Sequence, residues 1–185
     1  MKKAIGSFLL KLWGWKIIGH FPKEKKYIIV VMHHTSNWDF LLGLFTRWVE
    51  GANVSFVGKS SLFKFPLGIL MRYLGGFPIE RSASKKNYSI VKQMEDIYNN
   101  NENVVFTFTP EGTRKKVNKL KTGFYTIAKN TGIQICYVNF DFTNKEIVFD
   151  DLHDPAPTFE DEYQLLKNYF GGSVGKYPEL SYVFD

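Results

Sequence analysis

Short apolar runs rich in β-branched and aromatic residues recur along this chain, each followed by a polar turn and then by a stretch with helical spacing. Tyr27 to Met32, Val54 to Val57, Val104 to Phe108 and Ile133 to Phe142 read as strands, with Phe77 to Ile79 a short extended piece and Lys145 to Phe149 a strand returning across a turn at Thr143-Asn144. Helical spacing runs from Phe40 to Val49 with a stop at Gly51, and from Pro66 to Leu74 with a stop at Gly75-Gly76. It returns through Tyr88, Val91, Met94 and Tyr98, where Ser84 is placed to cap, and again over Lys121 to Lys129 and Phe159 to Phe170. Strands alternating with helices predict an α/β fold, a central mixed β-sheet flanked by helices, whose site lies at the carboxyl ends of the strands. At 185 residues the chain supports one core of ordinary size.

The first twenty residues have a basic start and an apolar middle, but Lys11 and Lys16 interrupt the run and no small-residue cleavage site follows. The uninterrupted span falls far short of the roughly 20 residues that a bilayer crossing needs. As a helix the segment mixes Phe8, Leu9, Leu12, Trp13 and Ile17 with lysines, which suits either a membrane interface or a face packed on the core. Trp13 and Trp15 among lysines favour the interface. Pro22 and Lys23-Glu24-Lys25-Lys26 then punctuate the chain, so the expected division is an amphipathic interfacial helical segment at 1–22 and one compact domain at 23–185.

Charge is unevenly distributed. Residues 1–38 hold seven lysines against Glu24 alone, whereas residues 141–185 hold ten acids against three lysines. A basic amino-terminal surface suits anionic lipid or nucleic acid, but no nucleic-acid motif accompanies it. The lone cysteine, Cys136, sits inside an apolar run and reads as a small buried hydrophobe.

Two polar clusters interrupt the apolar pattern at strand ends. His33-His34-Thr35-Ser36-Asn37-Trp38-Asp39 lies between the strand ending at Met32 and the helix beginning at Phe40. A histidine near a carboxylate makes a general base whose ring is held in one tautomer, and His34 with Asp39 meets that need if the turn folds back. The helix amino terminus and Asp39 push the imidazole pKa in opposite directions. A metal site is disfavoured, since His20 and His153 have no ligand spacing with this cluster. Ser36 lacks the Gly-x-Ser-x-Gly setting of an activated nucleophile, and Ser36, Asn37 or Asp39 also suits a helix cap. The second cluster, Thr109-Pro110-Glu111-Gly112-Thr113-Arg114 with Lys115 and Lys116, offers amides near a glycine together with cations, which suits an oxyanion; Arg81, beyond another short strand, is placed to join it. Neither GxGxxG nor GxxxxGK[ST] occurs, so nucleotide sites of those types have no support.

In order and spacing these clusters resemble the glycerolipid acyltransferases of the lysophosphatidic acid acyltransferase type. HHTSNWD resembles that family's HxxxxD block, with His34 and Asp39 at its fixed ends and His33 where asparagine is usual. Residues 59–81 are similar to the second block, from Lys59 through Pro66, Gly68 and Gly75 to Arg81. TPEGTR resembles the third at Pro110, Glu111, Gly112, Thr113 and Arg114, and Lys121-x-Gly123 the approach to the fourth. The fourth block departs from the pattern, carrying Tyr137 where proline is usual, which bears on donor or acceptor preference. The resemblance covers about residues 27–140; the tail beyond it is silent.

The resemblance implies transfer of a fatty acyl group from acyl-CoA or acyl carrier protein to a hydroxyl of a lysophospholipid acceptor such as 1-acylglycerol-3-phosphate, with no metal or cofactor. It implies His34 as base, Asp39 as its orienting partner, and Lys59, Arg81, Glu111, Gly112, Thr113 and Arg114 as substrate-binding residues. It also implies a peripheral or monotopic protein on the cytoplasmic face of an anionic membrane. Phe40 to Phe45 or Phe63 to Leu74 would border an acyl groove, with plain core as the competing expectation. The alternatives are an acyltransferase for a non-glycerol lipid acceptor, or a non-catalytic membrane-surface lipid-binding protein of the same fold, although the latter would be expected to lack the histidine or the aspartate.

Overall fold

The computed structural model describes residues 1–79 and 89–185, so Arg81 and the expected cap Ser84 lie outside the described residues. Helix α1 (Lys2–Leu12) is followed by strand β1 (Lys16–Ile18), β2 (Lys26–Met32), α2 (Trp38–Glu50) and β3 (Val54–Lys59). A 3₁₀ turn at Ser60–Phe63 leads into α3 (Leu67–Tyr73) and β4 (Gly76–Ile79). Then come α4 (Ile90–Asn100), β5 (Val104–Phe108), α5 (Gly123–Thr131), β6 (Ile135–Asp141), β7 (Glu146–Phe149) and α6 (Phe159–Phe170).

The strands form one mixed sheet in the order β1-β7-β6-β2-β5-β3-β4. β6, β2, β5, β3 and β4 run parallel, while β7 turns back antiparallel to β6 and β1 joins parallel to β7. At the centre, β2 is buried on both faces from Tyr27 to Met32, which is why its sequence is continuously apolar rather than alternating. The carboxyl ends of β2, β5 and β3 share one edge of the sheet, so the loops after Met32, Phe108 and Lys59 emerge together.

Caps set several boundaries. α2 begins at Trp38, ahead of the expected Phe40, which brings Asp39 into its first turn, and it ends at Gly51 in the left-handed region with φ 70°. α4 is capped by Ser89, whose Oγ accepts from the amide of Lys92 at 3.1 Å. α6 opens on a reciprocal capping box between Thr158 and Asp161 and spans the residues expected of it.

Two expectations change. The amino-terminal segment is not one helix: α1 stops at Leu12, Gly14 turns the chain at φ 77°, and Lys16–Ile18 becomes the edge strand on β7. Helical spacing persists beyond Leu12, but backbone pairing with β7 takes the segment instead. α1 itself crosses α2 closely, for a Cβ on Gly6 would stand 2.9 Å from the carbonyl oxygen of Phe45. The second change concerns α3, for which plain core was the competing expectation. Gly68 alone of its residues is buried, against the carbonyl of Phe63, and its large apolar side chains point outward.

Candidate active site

The turn from His33 to Asp39 closes on itself because the carboxylate at the start of α2 reaches back over it. Asp39 Oδ2 accepts from the amide of Ser36 at 3.0 Å, and Oδ1 accepts from the Ser36 hydroxyl at 3.1 Å. The Ser36 Oγ in turn accepts from the amide of Trp38 at 3.1 Å. Ser36 is thus committed as a turn brace, in line with the capping role and not with a nucleophile.

Against this braced carboxylate lies the imidazole of His34, Nδ1 at 2.9 Å from Asp39 Oδ2. A carboxylate can only accept, so Nδ1 donates to it, and in the neutral ring Nε2 is the nitrogen that keeps its lone pair. Asp39 is almost fully buried, whereas the His34 side chain keeps 18% of its surface exposed. A ring fixed in one tautomer with its basic nitrogen accessible is the arrangement that general-base chemistry requires.

The second polar cluster meets the first directly. Glu111, buried after the carboxyl end of β5, accepts from the backbone amide of His34 through Oε1 at 3.0 Å. Its other oxygen, Oε2, is buried without a hydrogen-bond partner among the described residues. Burial pushes the Glu111 pKa up, with the His34 amide pulling in the other direction. Gly112 follows in the left-handed region at φ 62°, where a side chain would be strained and a Cβ would also crowd Lys121 Nζ at 2.7 Å. Lys121 therefore lies across the same loop as a further cation. Thr113 Oγ1 accepts from the amide of Lys115, and Arg114 donates Nε to the carbonyl of Ser36 at 3.3 Å. Arg114 is exposed, so the rest of its guanidinium stands open to solvent beside the base turn.

His34, Asp39, Glu111 and Arg114 are thus brought together from residues far apart in sequence, with Gly112 and Thr113 in the same loop. Lys59 ends β3 on the same sheet edge and is exposed, but among the described residues no hydrogen bond joins it to the turn. Arg81 lies outside the described residues.

The tail supplies contacts that the sequence reading missed. His33 Nε2 donates to the carbonyl of Phe170 at 3.2 Å, leaving Nδ1 buried without a hydrogen-bond partner among the described residues. Burial holds the His33 pKa below its usual value, against the pull of the Phe170 and Ser173 backbone. Tyr177 donates its amide to Thr35 Oγ1 at 3.2 Å, and Gly175 passes so close that a Cβ there would meet Thr35 Oγ1 at 2.5 Å and the His33 carbonyl at 2.9 Å. Lys176 Nζ then lies 4.3 Å from the centroid of the Trp38 ring. Both neighbours of His34 are therefore held by the end of α6 and the strap that follows it. The run Gly171-Gly-Ser-Val-Gly175 hints at close passage, but nothing in the sequence says against what.

The fourth block has a structural explanation. Tyr137 is buried beneath α6 and donates its hydroxyl to Glu162 Oε1 at 2.5 Å, while His153 Nε2 approaches the same oxygen at 3.3 Å and the Ala156 amide donates to Oε2 at 2.9 Å. These hydrogen bonds outweigh burial and hold the Glu162 pKa low. Tyr137 thereby fastens the sheet to α6.

A family model described as Acyltransferase matches residues 16–140. The chain belongs to that acyltransferase family. Its matched region includes the His34–Asp39 turn and the Glu111–Arg114 loop, whereas α1 and the strap after α6 lie outside it. The fold is shared with the crystal structure of the 1-acyl-sn-glycerophosphate (LPA) acyltransferase PlsC from Thermotoga maritima, at a TM-score of 0.59 and 19% identity over 91% of this chain and 74% of that one. No curated protein matches the chain.

Proposed function

We propose that this acyltransferase moves a fatty acyl group from a thioester, acyl-CoA or acyl carrier protein, to the hydroxyl of a lysophospholipid acceptor such as 1-acylglycerol-3-phosphate. The observation that carries the reading is the 2.9 Å contact between His34 Nδ1 and Asp39 Oδ2, which leaves Nε2 as an accessible base. His34 Nε2 takes the proton of the acceptor hydroxyl as its oxygen attacks the thioester carbonyl carbon. The tetrahedral oxyanion collapses with cleavage of the C–S bond, and the imidazolium returns the proton to the departing sulfur. A thiolate with a pKa of about 8.5 leaves far more readily than an alkoxide, so an acyl-enzyme is not needed.

Positioning supplies the other part of the rate. Glu111 fixes the backbone of the base, and the exposed guanidinium of Arg114 is the preferred partner for the acceptor's phosphate, with Lys59, Gly112, Thr113 and Arg81 proposed around it. No helix among the described residues is long and apolar enough to cross a membrane. The protein is read as peripheral or monotopic, on the cytoplasmic face of a membrane, with α1 lying in the interface.

The reading is tested by thiol release from acyl-CoA and from acyl carrier protein against a panel of lysophospholipid and amino-lipid acceptors, with His34→Ala beside the wild type. Turnover with a lysophospholipid that disappears in the variant is expected. Retention of more than a few per cent of the rate removes His34 as the base, and silence with every acceptor favours a binding protein of the same fold.

A further inference from the structure

We propose that Lys176, in the strap after α6, binds the phosphate at the end of the acyl donor's pantetheine arm, the group that acyl-CoA and acyl carrier protein share. The proposal rests on the acyl-transfer reading and adds to it a donor-binding residue that lies outside the matched family region.

The strap is pinned on both sides of Lys176. Gly175 donates its amide to Ser181 Oγ at 2.9 Å, and Tyr177 donates its amide to Thr35 Oγ1 at 3.2 Å. The backbone around the lysine is thus tied to the tail on one side and to the base turn on the other. Its ammonium is placed as well, with Nζ 4.3 Å from the centroid of the Trp38 ring and 5.8 Å from that of Tyr177. Trp38 is held edge-on by Trp13, with ring centroids 5.0 Å apart. A long side chain therefore loses much of its freedom before any ligand arrives, which spares a binding cation part of the ordering cost.

The charge so placed is unanswered. Among the described residues no carboxylate lies within ion-pair distance of Lys176 Nζ. The ring faces attract the ammonium without neutralising it. Lys176 is half-buried and Trp38 is 41% exposed, so the cation stands open to an anion at the rim of the base turn.

Topology decides which anion this is. β2, with the base turn at its carboxyl end, lies between β6 and β5 in the sheet. Arg114 comes from the loop after β5 and reaches the carbonyl of Ser36. The strap comes from the other side, where Ser173 Oγ lies 3.1 Å from Oδ1 of Asn139, the β6 residue paired with Met32. Two cations thus approach the turn from opposite flanks. The reaction joins two phosphate-bearing substrates whose hydroxyl and thioester meet at His34 from different directions. With Arg114 on the acceptor's phosphate, the donor's falls to Lys176. The pantetheine arm sets that phosphate well away from the sulfur, which suits a cation carried on Trp38 at the rim rather than beside the base.

The test uses two donors that differ in that phosphate alone, S-acyl-phosphopantetheine and S-acyl-pantetheine, with one lysophospholipid acceptor, on the wild type, Lys176→Met and Lys176→Arg. Methionine keeps an unbranched apolar stem on Trp38 and removes the charge. The expected result is a KM for the phosphorylated donor that rises about tenfold in Lys176→Met and largely recovers in Lys176→Arg, with the KM values of the other donor and of the acceptor little changed. An equal rise for both donors makes the lysine a brace of the strap and overturns the proposal. A rise confined to the acceptor, or no rise at all, overturns it too. Calorimetric binding of phosphopantetheine and of pantetheine, free of any acyl group, keeps the two readings apart. Phosphate-dependent binding that weakens in Lys176→Met, beside a wild type that releases no thiol, supports the seat and overturns acyl transfer; thiol release with binding indifferent to the phosphate does the reverse.

Discussion

His34 Nδ1 lies 2.9 Å from Asp39 Oδ2, and the same carboxylate oxygen also accepts from the amide of Ser36 at 3.0 Å. One oxygen therefore shapes the turn and orients the base that the turn displays. Replacing Asp39 by Asn removes the charge that favours the imidazolium formed during attack and offers the ring an ambiguous partner. The expected outcome is a kcat lower by about 10² to 10⁴ with KM little changed. Steady-state kinetics on a folded D39N protein check this, and a rate within a few-fold of wild type would assign the aspartate to the turn alone.

Glu111 separates positioning from charge. Its Oε1 holds the His34 amide, and a glutamine keeps an acceptor there while an alanine leaves the amide without one. Glu111→Gln is expected to keep most of the activity and stability, while Glu111→Ala costs about 1–3 kcal/mol and lowers kcat more than it changes KM. Denaturant melts run beside kinetics decide between the two, since equal losses in both variants would indicate that the charge itself is needed.

At Gly175 the strap tests whether the tail supports the base. A methyl group there would stand 2.5 Å from Thr35 Oγ1, whereas one on Gly172 would meet nothing within 4 Å. Gly175→Ala is expected to lose about 1–3 kcal/mol of stability and to reduce kcat, while Gly172→Ala leaves both near wild type. Matching behaviour of the two variants would detach the strap from the site.

His33 gives the fold a pH dependence of known sign. Its folded pKa lies below the ordinary 6.5 because of burial, so the stability it contributes is full above 6.5 and is lost as pH falls through the folded pKa. The wild-type melting temperature is expected to fall from about pH 7 to about pH 5 more steeply than that of His33→Asn, because the unfolded imidazole gains a proton that the buried ring refuses. Parallel melting curves for the two proteins would place the acid sensitivity elsewhere.

The alternation of apolar runs with helical spacing was enough to predict the α/β class and most elements, because buried parallel strands and amphipathic helices write their burial directly into residue order. α6 and β5 fall where their residue patterns place them. The amino-terminal segment was misread beyond Leu12 because pairing with β7 overrides helical spacing, and no local signal announces a partner more than a hundred residues away. α3 was misread for the opposite reason. Its residues look like core, and only the seating of Gly68 on Phe63 turns them outward.

By itself, the sequence determined that His34 and Asp39 flank a strand-to-helix turn and that Glu111 to Arg114 follow another strand, since spacing and chemical type are local properties. Only the tertiary structure decided that Glu111 holds the amide of His34, that Arg114 reaches Ser36, and that the end of α6 and the strap after it brace the residues on either side of the base. Those contacts join segments distant in the chain, and it is the order and direction of strands in the sheet that bring such segments within hydrogen-bond distance.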